Sequence, residues 1–288
     1  MVKLAGVTQQ DMLEHAPSAS PGAGDGTISQ QLLNQLEDPD PDVRIEAIEA
    51  LSECREDLAI TRLIDLAQTD ANPDARCAAL LALGQFIYLG SISDYGSGDP
   101  EPFEEIPQED FLRARAFLLS VYHDGERPLD EKRCAVEALG FDGGDDISDA
   151  ITELYARPEK AARISALRAM GRSGAIRWLE TVGRELYNDD LDVQIEAIEA
   201  AGEMCADSLG KDLLRLTYAD DRDIVLSALW ALGQTGWEGG FDRLDEFTLH
   251  PDVEVREIAD EAMDEWLFFN GLTSDYDQDE EDEFLDID

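Results

Sequence analysis

The chain has 288 residues, 43% hydrophobic and 31% charged, and its 66 acids against 22 bases give a formal net charge of −44. That balance excludes nucleic-acid backbone binding, where Lys and Arg must displace counterions, and disfavours anionic membrane surfaces. The four cysteines (Cys54, Cys77, Cys134, Cys205) lie far apart with no CxxC pair. Their spacing argues against a disulfide framework or a zinc site and for use as small apolar residues in packed helices.

Residues 1–27 contain Gly, Ser and Pro and hold at most one short helix over 8–15, so they read as a flexible arm. The arm lacks the apolar centre of a signal peptide, which points to a cytoplasmic protein. No run of apolar residues is expected to reach the length of a membrane span.

A repeat array begins at residue 28. Residues 40–50 (DPDVRIEAIEA) and 190–200 (DLDVQIEAIEA) agree at nine of eleven positions. Aligning on the fifth residue of that stretch gives the anchors Arg44, Arg76, Lys132, Arg163, Gln194, Val225 and Arg256, spaced by 32, 56, 31, 31, 31 and 31. The period is therefore about 31, with an insertion in the second interval. Three and six residues beyond each anchor the residue is alanine in all seven repeats, from Ala47 and Ala50 to Ala259 and Ala262. Alanine favours helix, and its small side chain lets helices approach closely. Eight residues beyond the anchor stands Gly84, Gly140, Gly171, Gly202 or Gly233 in the five middle repeats, near where the helix should end and turn.

Each anchor helix is preceded by another amphipathic one, marked in turn by Leu32, Leu63, Leu118, Ile151, Val182, Leu213 and Leu244. Asp-rich turns join the two helices. Asp42, Asp74, Asp130, Asp192 and Asp223 stand two residues before the anchor, where a carboxylate can cap free amides and meet the helix dipole. The expected fold is all-α, with seven antiparallel helix pairs over residues 28–270. An insertion loop is expected at about 89–110, with Tyr95, Phe103 and Ile106 able to dock back. Residues 271–288, with nine acids in eighteen positions, read as a disordered acidic tail.

Asp-x-Arg followed by paired alanines, Leu and Gly, as in DARCAALLALG at 74–84, resembles the HEAT repeat, in particular the short HEAT-like variety of the phycobilisome lyases. The resemblance implies a right-handed α-solenoid (superhelix) whose second helices line the concave side. It also implies an Asp/Arg ladder joining neighbouring repeats, drawn from Asp42, Arg44, Asp74, Arg76, Asp130, Lys132, Arg163, Asp192 and Arg256. Gln194 and Val225 break that pattern.

If positions 0, 3, 4 and 7 of each second helix are buried, positions 2, 5 and 9 should point outward. That stripe reads Glu46, Glu49, Glu53; Ala78, Leu81, Gln85; Cys134, Glu137, Phe141; Ser165, Arg168, Arg172; Glu196, Glu199, Glu203; Ser227, Trp230, Gln234; Ile258, Glu261, Glu265. Trp and Arg anchor interfaces, so Trp230 with Glu196, Glu199, Glu203 and Glu261, together with Arg168, Arg172, Phe141 and Leu81, form the expected partner-binding set. The partner would be a basic or amphipathic protein segment and the chain a monomeric scaffold.

Catalysis has little support. The histidines are His15, His123 and His250, none at ligand spacing, and neither a metal nor a cofactor is expected. Deoxyhypusine hydroxylases with HEAT-like repeats use His-Glu pairs; here the residues after histidine are Ala16, Asp124 and Pro251. A bilin lyase or chromophore chaperone would need arginines and aromatics meeting in the groove, which only Arg168, Arg172, Phe141 and Trp230 supply. A lysine-poor acidic surface also suits a salt-rich cytoplasm, where screening acts over about 3 Å at 1 M.

Overall fold

The structure, a computed structural model, describes residues 28–54, 57–92 and 106–272, and the arm and acidic tail expected from the sequence lie mostly outside them. The described residues form fourteen α-helices and no strand. The pairs are α1 (Gln30–Gln35) with α2 (Pro41–Ser52), α3 (Asp57–Thr69) with α4 (Pro73–Ile92), α5 (Gln108–His123) with α6 (Leu129–Leu139), and α7 (Asp145–Tyr155) with α8 (Lys160–Ser173). Then come α9 (Leu179–Glu185) with α10 (Leu191–Glu203), α11 (Gly210–Leu216) with α12 (Arg222–Thr235), and α13 (Phe241–Thr248) with α14 (Val253–Phe269). A short 3₁₀ turn leads into each first helix of the last three pairs. The fold is an all-α repeat solenoid, divided into a first compact unit that carries α1–α8 and a second that carries α9–α14.

Within each unit the second helices form the closely packed row: α2 on α4, α4 on α6 and α6 on α8 in the first, α10 on α12 and α12 on α14 in the second. The alanine three residues beyond the anchor is buried in every repeat. The alanine six beyond is buried from Ala138 onward, half-buried at Ala82 and exposed at Ala50, where no earlier pair covers it. Leucine, isoleucine and phenylalanine fill the space between hairpins. Leu63, Leu80, Leu83, Phe86, Ile87, Leu118 and Leu139 are fully buried in the first unit, each worth about 1.5–3 kcal/mol in removed apolar surface.

The glycine column does something other than end helices. A Cβ on Gly84 would sit 3.2 Å from the Ala138 Cα, on Gly140 2.9 Å from the Ala169 Cα, on Gly202 3.0 Å from the Ala231 Cα, and on Gly233 2.7 Å from the Ala262 Cα. Each glycine therefore opens a slot for the alanine backbone of the next second helix. The turns come three residues later, at Gly174 and Gly236, where φ is +58°. In the fifth repeat that place belongs to Cys205, which adopts φ 47° and closes the helix end through its N–H to the Gly202 carbonyl. An L-residue there carries strain of about 1–2 kcal/mol.

The caps also lie two residues earlier than expected. Asp40, Asn72, Asp190, Asp221 and Asp252 are the N-caps, each accepting the N–H two residues on (2.7–3.1 Å). Asp42, Asp74, Asp192 and Asp223 instead occupy the first turn, where they meet the positive helix end. Asp130, also in a first turn, bonds Arg133.

The insertion is shorter than the expected loop at both ends. Helix α4 continues through Leu89 and Gly90 to Ile92, and Ile106 is already docked and buried; Tyr95 and Phe103 lie outside the described residues. At 20 residues and a mean hydropathy of 1.4, α4 is long and apolar enough to cross a membrane by length and composition, contrary to the expectation that no run would be. Half of it is buried inside the protein, against α2, α3, α5 and α6, which makes it the central helix of the first unit.

Two substitutions test this packing. Gly233→Ala would place a methyl carbon 2.4 Å from the Ala262 carbonyl oxygen. It should lower stability by about 2 kcal/mol despite alanine's better helix propensity. Gly125→Ala, with nothing within 4 Å, should change little. Cys205→Gly should raise the urea midpoint of the second unit by releasing about 1 kcal/mol of backbone strain.

Candidate functional site

The second-helix faces carry the chemistry, and the anchors that hold them are built in two steps. Arg44, Arg76 and Arg256 each donate Nη1 (2.8 Å) to the carbonyl six residues before, at Asp38, Asp70 and His250, tying the helix to its own turn. Arg44 also grips the Asp70 carboxylate with Nε and Nη2 (2.8 and 2.7 Å), and Arg76 reaches Glu131 at 2.8 Å, joining the first three repeats. In these first three repeats the acids that meet the anchors are thus Asp70 and Glu131, rather than Asp42, Asp74 or Asp130. The side-chain bond from Arg44 holds the Asp70 carboxyl below its ordinary range. Lys132 is half-buried on α6, and Arg163 lies over the Tyr155 ring at 5.9 Å.

The two departures from the pattern are compensated locally. Gln194 donates to the Leu186 carbonyl (2.7 Å), eight residues back. Val225 has no donor for the equivalent Thr217 carbonyl, and Arg243 from the next repeat takes it at 2.8 Å while stacking on Tyr218 and Phe247. Arg222, near the start of α12, pairs with Glu254 (2.6 Å) on α14 and so supplies the joint that Val225 lacks.

The face of the first unit is acidic at one end, where Glu46, Glu49 and Glu53 are exposed as expected. Burial and the neighbouring Glu46 push the Glu49 carboxyl up. Further along, the expectation that positions 2, 5 and 9 point outward fails. Cys134, Glu137 and Ser165 are buried, and Leu81 is half-buried. The cause is the close approach of α4, α6 and α8, which closes the neighbours over these positions.

Arg168 and Arg172 are consequently not available for a partner. Both turn onto Glu137, Arg168 at 3.0 Å and Arg172 at 3.7 Å, and Arg172 also donates to the Glu137 carbonyl at 3.0 Å. Arg172 stacks over Phe141 (5.1 Å), which packs edge-on against Tyr88. Burial pushes the Glu137 carboxyl up, but the two guanidiniums and Ser165 outweigh it and leave it below its ordinary value. Glu137 and Arg168 both stand five residues beyond their anchors, so residues in that column touch across consecutive repeats.

In the second unit the same column reads Glu199, Trp230, Glu261. Trp230 is half-buried and lies on Gly202: a Cβ there would be 2.5 Å from the indole Cζ3. Glu199 and Glu203 are half-buried and Glu261 is exposed, while Glu196 is buried and does not belong to an open surface. Beyond the first turn, α10, α12 and α14 contain no Lys or Arg. Among the described residues no three His, Cys, Asp or Glu side chains cluster as metal ligands. A shallow groove of about 320 Å³ lies at the edge of this unit, lined by Ile176, Leu179, Met204, Cys205 and Asp207 among others.

The repeats are HEAT-like: a family model described as HEAT repeats matches residues 29–96. The chain shares its fold with the solved complex of CpcE and CpcF of phycocyanin lyase from Nostoc sp. PCC7120, at 16% identity and a TM-score of 0.52, covering 87% of this chain and 98% of that one. Human deoxyhypusine hydroxylase is similar at 16% identity and a TM-score of 0.38, covering 82% and 83%. A designed armadillo repeat protein is similar at 15% identity and a TM-score of 0.34, covering 82% and 98%. No curated protein matches the chain.

Glu137→Gln should destabilise the first unit by about 3 kcal/mol, because it leaves two guanidiniums facing a neutral amide. The folded carboxyl is held low, so the charged form's contribution is complete above the ordinary Glu value of about 4.3 and is lost as pH falls through the folded one. The urea midpoints of wild type and variant should therefore differ most near neutrality and converge on acidification.

Proposed function

We propose that the chain is a non-enzymatic protein-protein interaction scaffold whose second unit receives a basic or amphipathic protein segment on Trp230, Glu199, Glu203 and Glu261. One observation carries this reading. In the Glu137–Arg168 contact the fifth position beyond one anchor meets its counterpart in the next repeat, and by the same register Trp230 would stand between Glu199 and Glu261. An indole braced on a glycine offers a broad apolar surface at low entropic cost, and carboxylates on either side favour lysine or arginine. The overall charge of −44 would steer such a segment to the protein and repel nucleic acid and anionic membranes.

The phycocyanin lyase named for the structural neighbour suggests a chromophore-handling alternative. A bilin's propionates would require arginines on the groove, and here Arg168 and Arg172 are taken up by Glu137 and Phe141. The scaffold reading therefore fits the side chains better. A purely environmental origin for the acidity, in a salt-rich cytoplasm, predicts instead that the protein unfolds at low salt and recovers at molar salt.

A synthetic amphipathic helix of Lys and Leu, titrated into the full chain by calorimetry, tests the proposal. Trp230→Ala should weaken binding about tenfold or more, roughly 1.4 kcal/mol or above. Glu199→Gln with Glu261→Gln should weaken it further and flatten its salt dependence. Equal affinity for wild type and Trp230→Ala would end the assignment.

A further inference from the structure

The shallow groove at the edge of the second unit arises where one repeat departs from the next. Shifted by one period of 31, Leu179 corresponds to Gly210 and Ala206 to Trp237. At the later joint the Trp237 side chain lies on the first residue of α11. A Cβ on Gly210 would be 2.6 Å from the Trp237 Cβ, and one on Gly239 2.6 Å from its Cζ3. At the earlier joint Ala206 puts no ring in that place, and Leu179, which starts α9, fills only part of it. What remains is an opening of about 320 Å³ lined chiefly by Ile176, Leu179, Met204, Cys205, Ala206 and Asp207.

The surroundings say what belongs there. Ile176, in the lining, is 81% exposed. Glu180 follows Leu179, Glu203 precedes Met204 and Asp207 is itself in the lining, against the single neighbouring base Arg177. The groove also adjoins Trp230, whose indole Cζ3 is 2.5 Å from a notional Cβ on Gly202, two residues before Met204. The left-handed turn at Cys205 leads the chain out of α10 and leaves a free, exposed thiol in the lining.

We infer that this groove receives an aromatic side chain of the same basic amphipathic segment proposed to bind at Trp230, so that the partner carries Phe or Trp beside its lysines or arginines. The inference rests on the scaffold reading above. The partner's ring takes the place that Trp237 holds one repeat later, against Leu179 and Ala206, and its basic residues meet Glu203 and Asp207. An aromatic ring buries a large apolar area while fixing only two side-chain torsions. The three acids around the opening repel an acidic segment and favour a basic one.

The test uses the full chain and a synthetic Lys/Leu amphipathic helix carrying one phenylalanine. Affinity is measured by calorimetry, and alkylation of Cys205 by N-ethylmaleimide is followed by peptide mass spectrometry, with the buried Cys54 as internal reference. At a peptide concentration about ten times the Kd, Cys205 alkylation should slow about tenfold. Ile176→Ser, at a position too exposed to matter for folding, should weaken binding about fivefold. Unchanged Cys205 alkylation, or equal affinity of wild type and Ile176→Ser, would overturn the groove assignment; if Trp230→Ala still weakened binding, the scaffold reading would stand. No binding of the peptide to wild type would overturn that reading and this inference with it.

Discussion

Everything in this protein depends on how near one second helix can come to the next. The glycine eight residues beyond the anchor leaves a gap that the alanine backbone of the following repeat fills, with separations for a notional Cβ of 2.4–3.4 Å at Gly84, Gly140 and Gly233. Dispersion contacts at such range are individually weak, but Gly84, Gly140, Gly202 and Gly233 each make the same kind of contact with the following alanine, and no larger side chain fits. The first helices have no comparable column of small residues, and they contact one another far less. Stability is therefore gathered along one row in each unit, as expected of nearest-neighbour repeat packing.

That row also decides which side chains function as surface. Close approach withdraws Glu196 and Ser165 from solvent, and it forces Glu137 and Arg168 into contact. A buried carboxylate with two guanidiniums is costly to assemble and more costly to leave half-made, so the network fixes register between α6 and α8. Where the same column carries Trp230 and two glutamates it holds no basic residue, and this is the set proposed to receive a basic segment. One register thus yields a locked joint in the first unit and underlies the face proposed for binding in the second.

Much of this was legible in the sequence. The seven alanine pairs, the 31-residue period and the helix-pair organisation follow from spacing alone, because small residues recurring at fixed helical positions have one economical use. The roles of other residues were less legible because periodicity does not report distance. A glycine eight residues past the anchor reads as a helix end, and only the separation from Ala138 or Ala262 reveals it as a packing slot. The capping role went to Asp40, Asn72 and Asp190 rather than to the acids two residues later, since a run such as DPD offers two carboxylates and backbone geometry selects one. The Arg76–Glu131 bond and the Arg243 substitution for the missing donor at Val225 lie between repeats. They can be foreseen only by comparing columns across neighbours rather than along one helix.

Native-state hydrogen exchange resolved helix by helix tests the central claim most directly. If nesting of the small-residue row holds each unit together, amides of α4, α6 and α12 should exchange slowest, approaching the rate of global unfolding of their unit, and those of α3, α5 and α11 faster. Equal protection of both rows, or slower exchange in the first helices, would contradict the account.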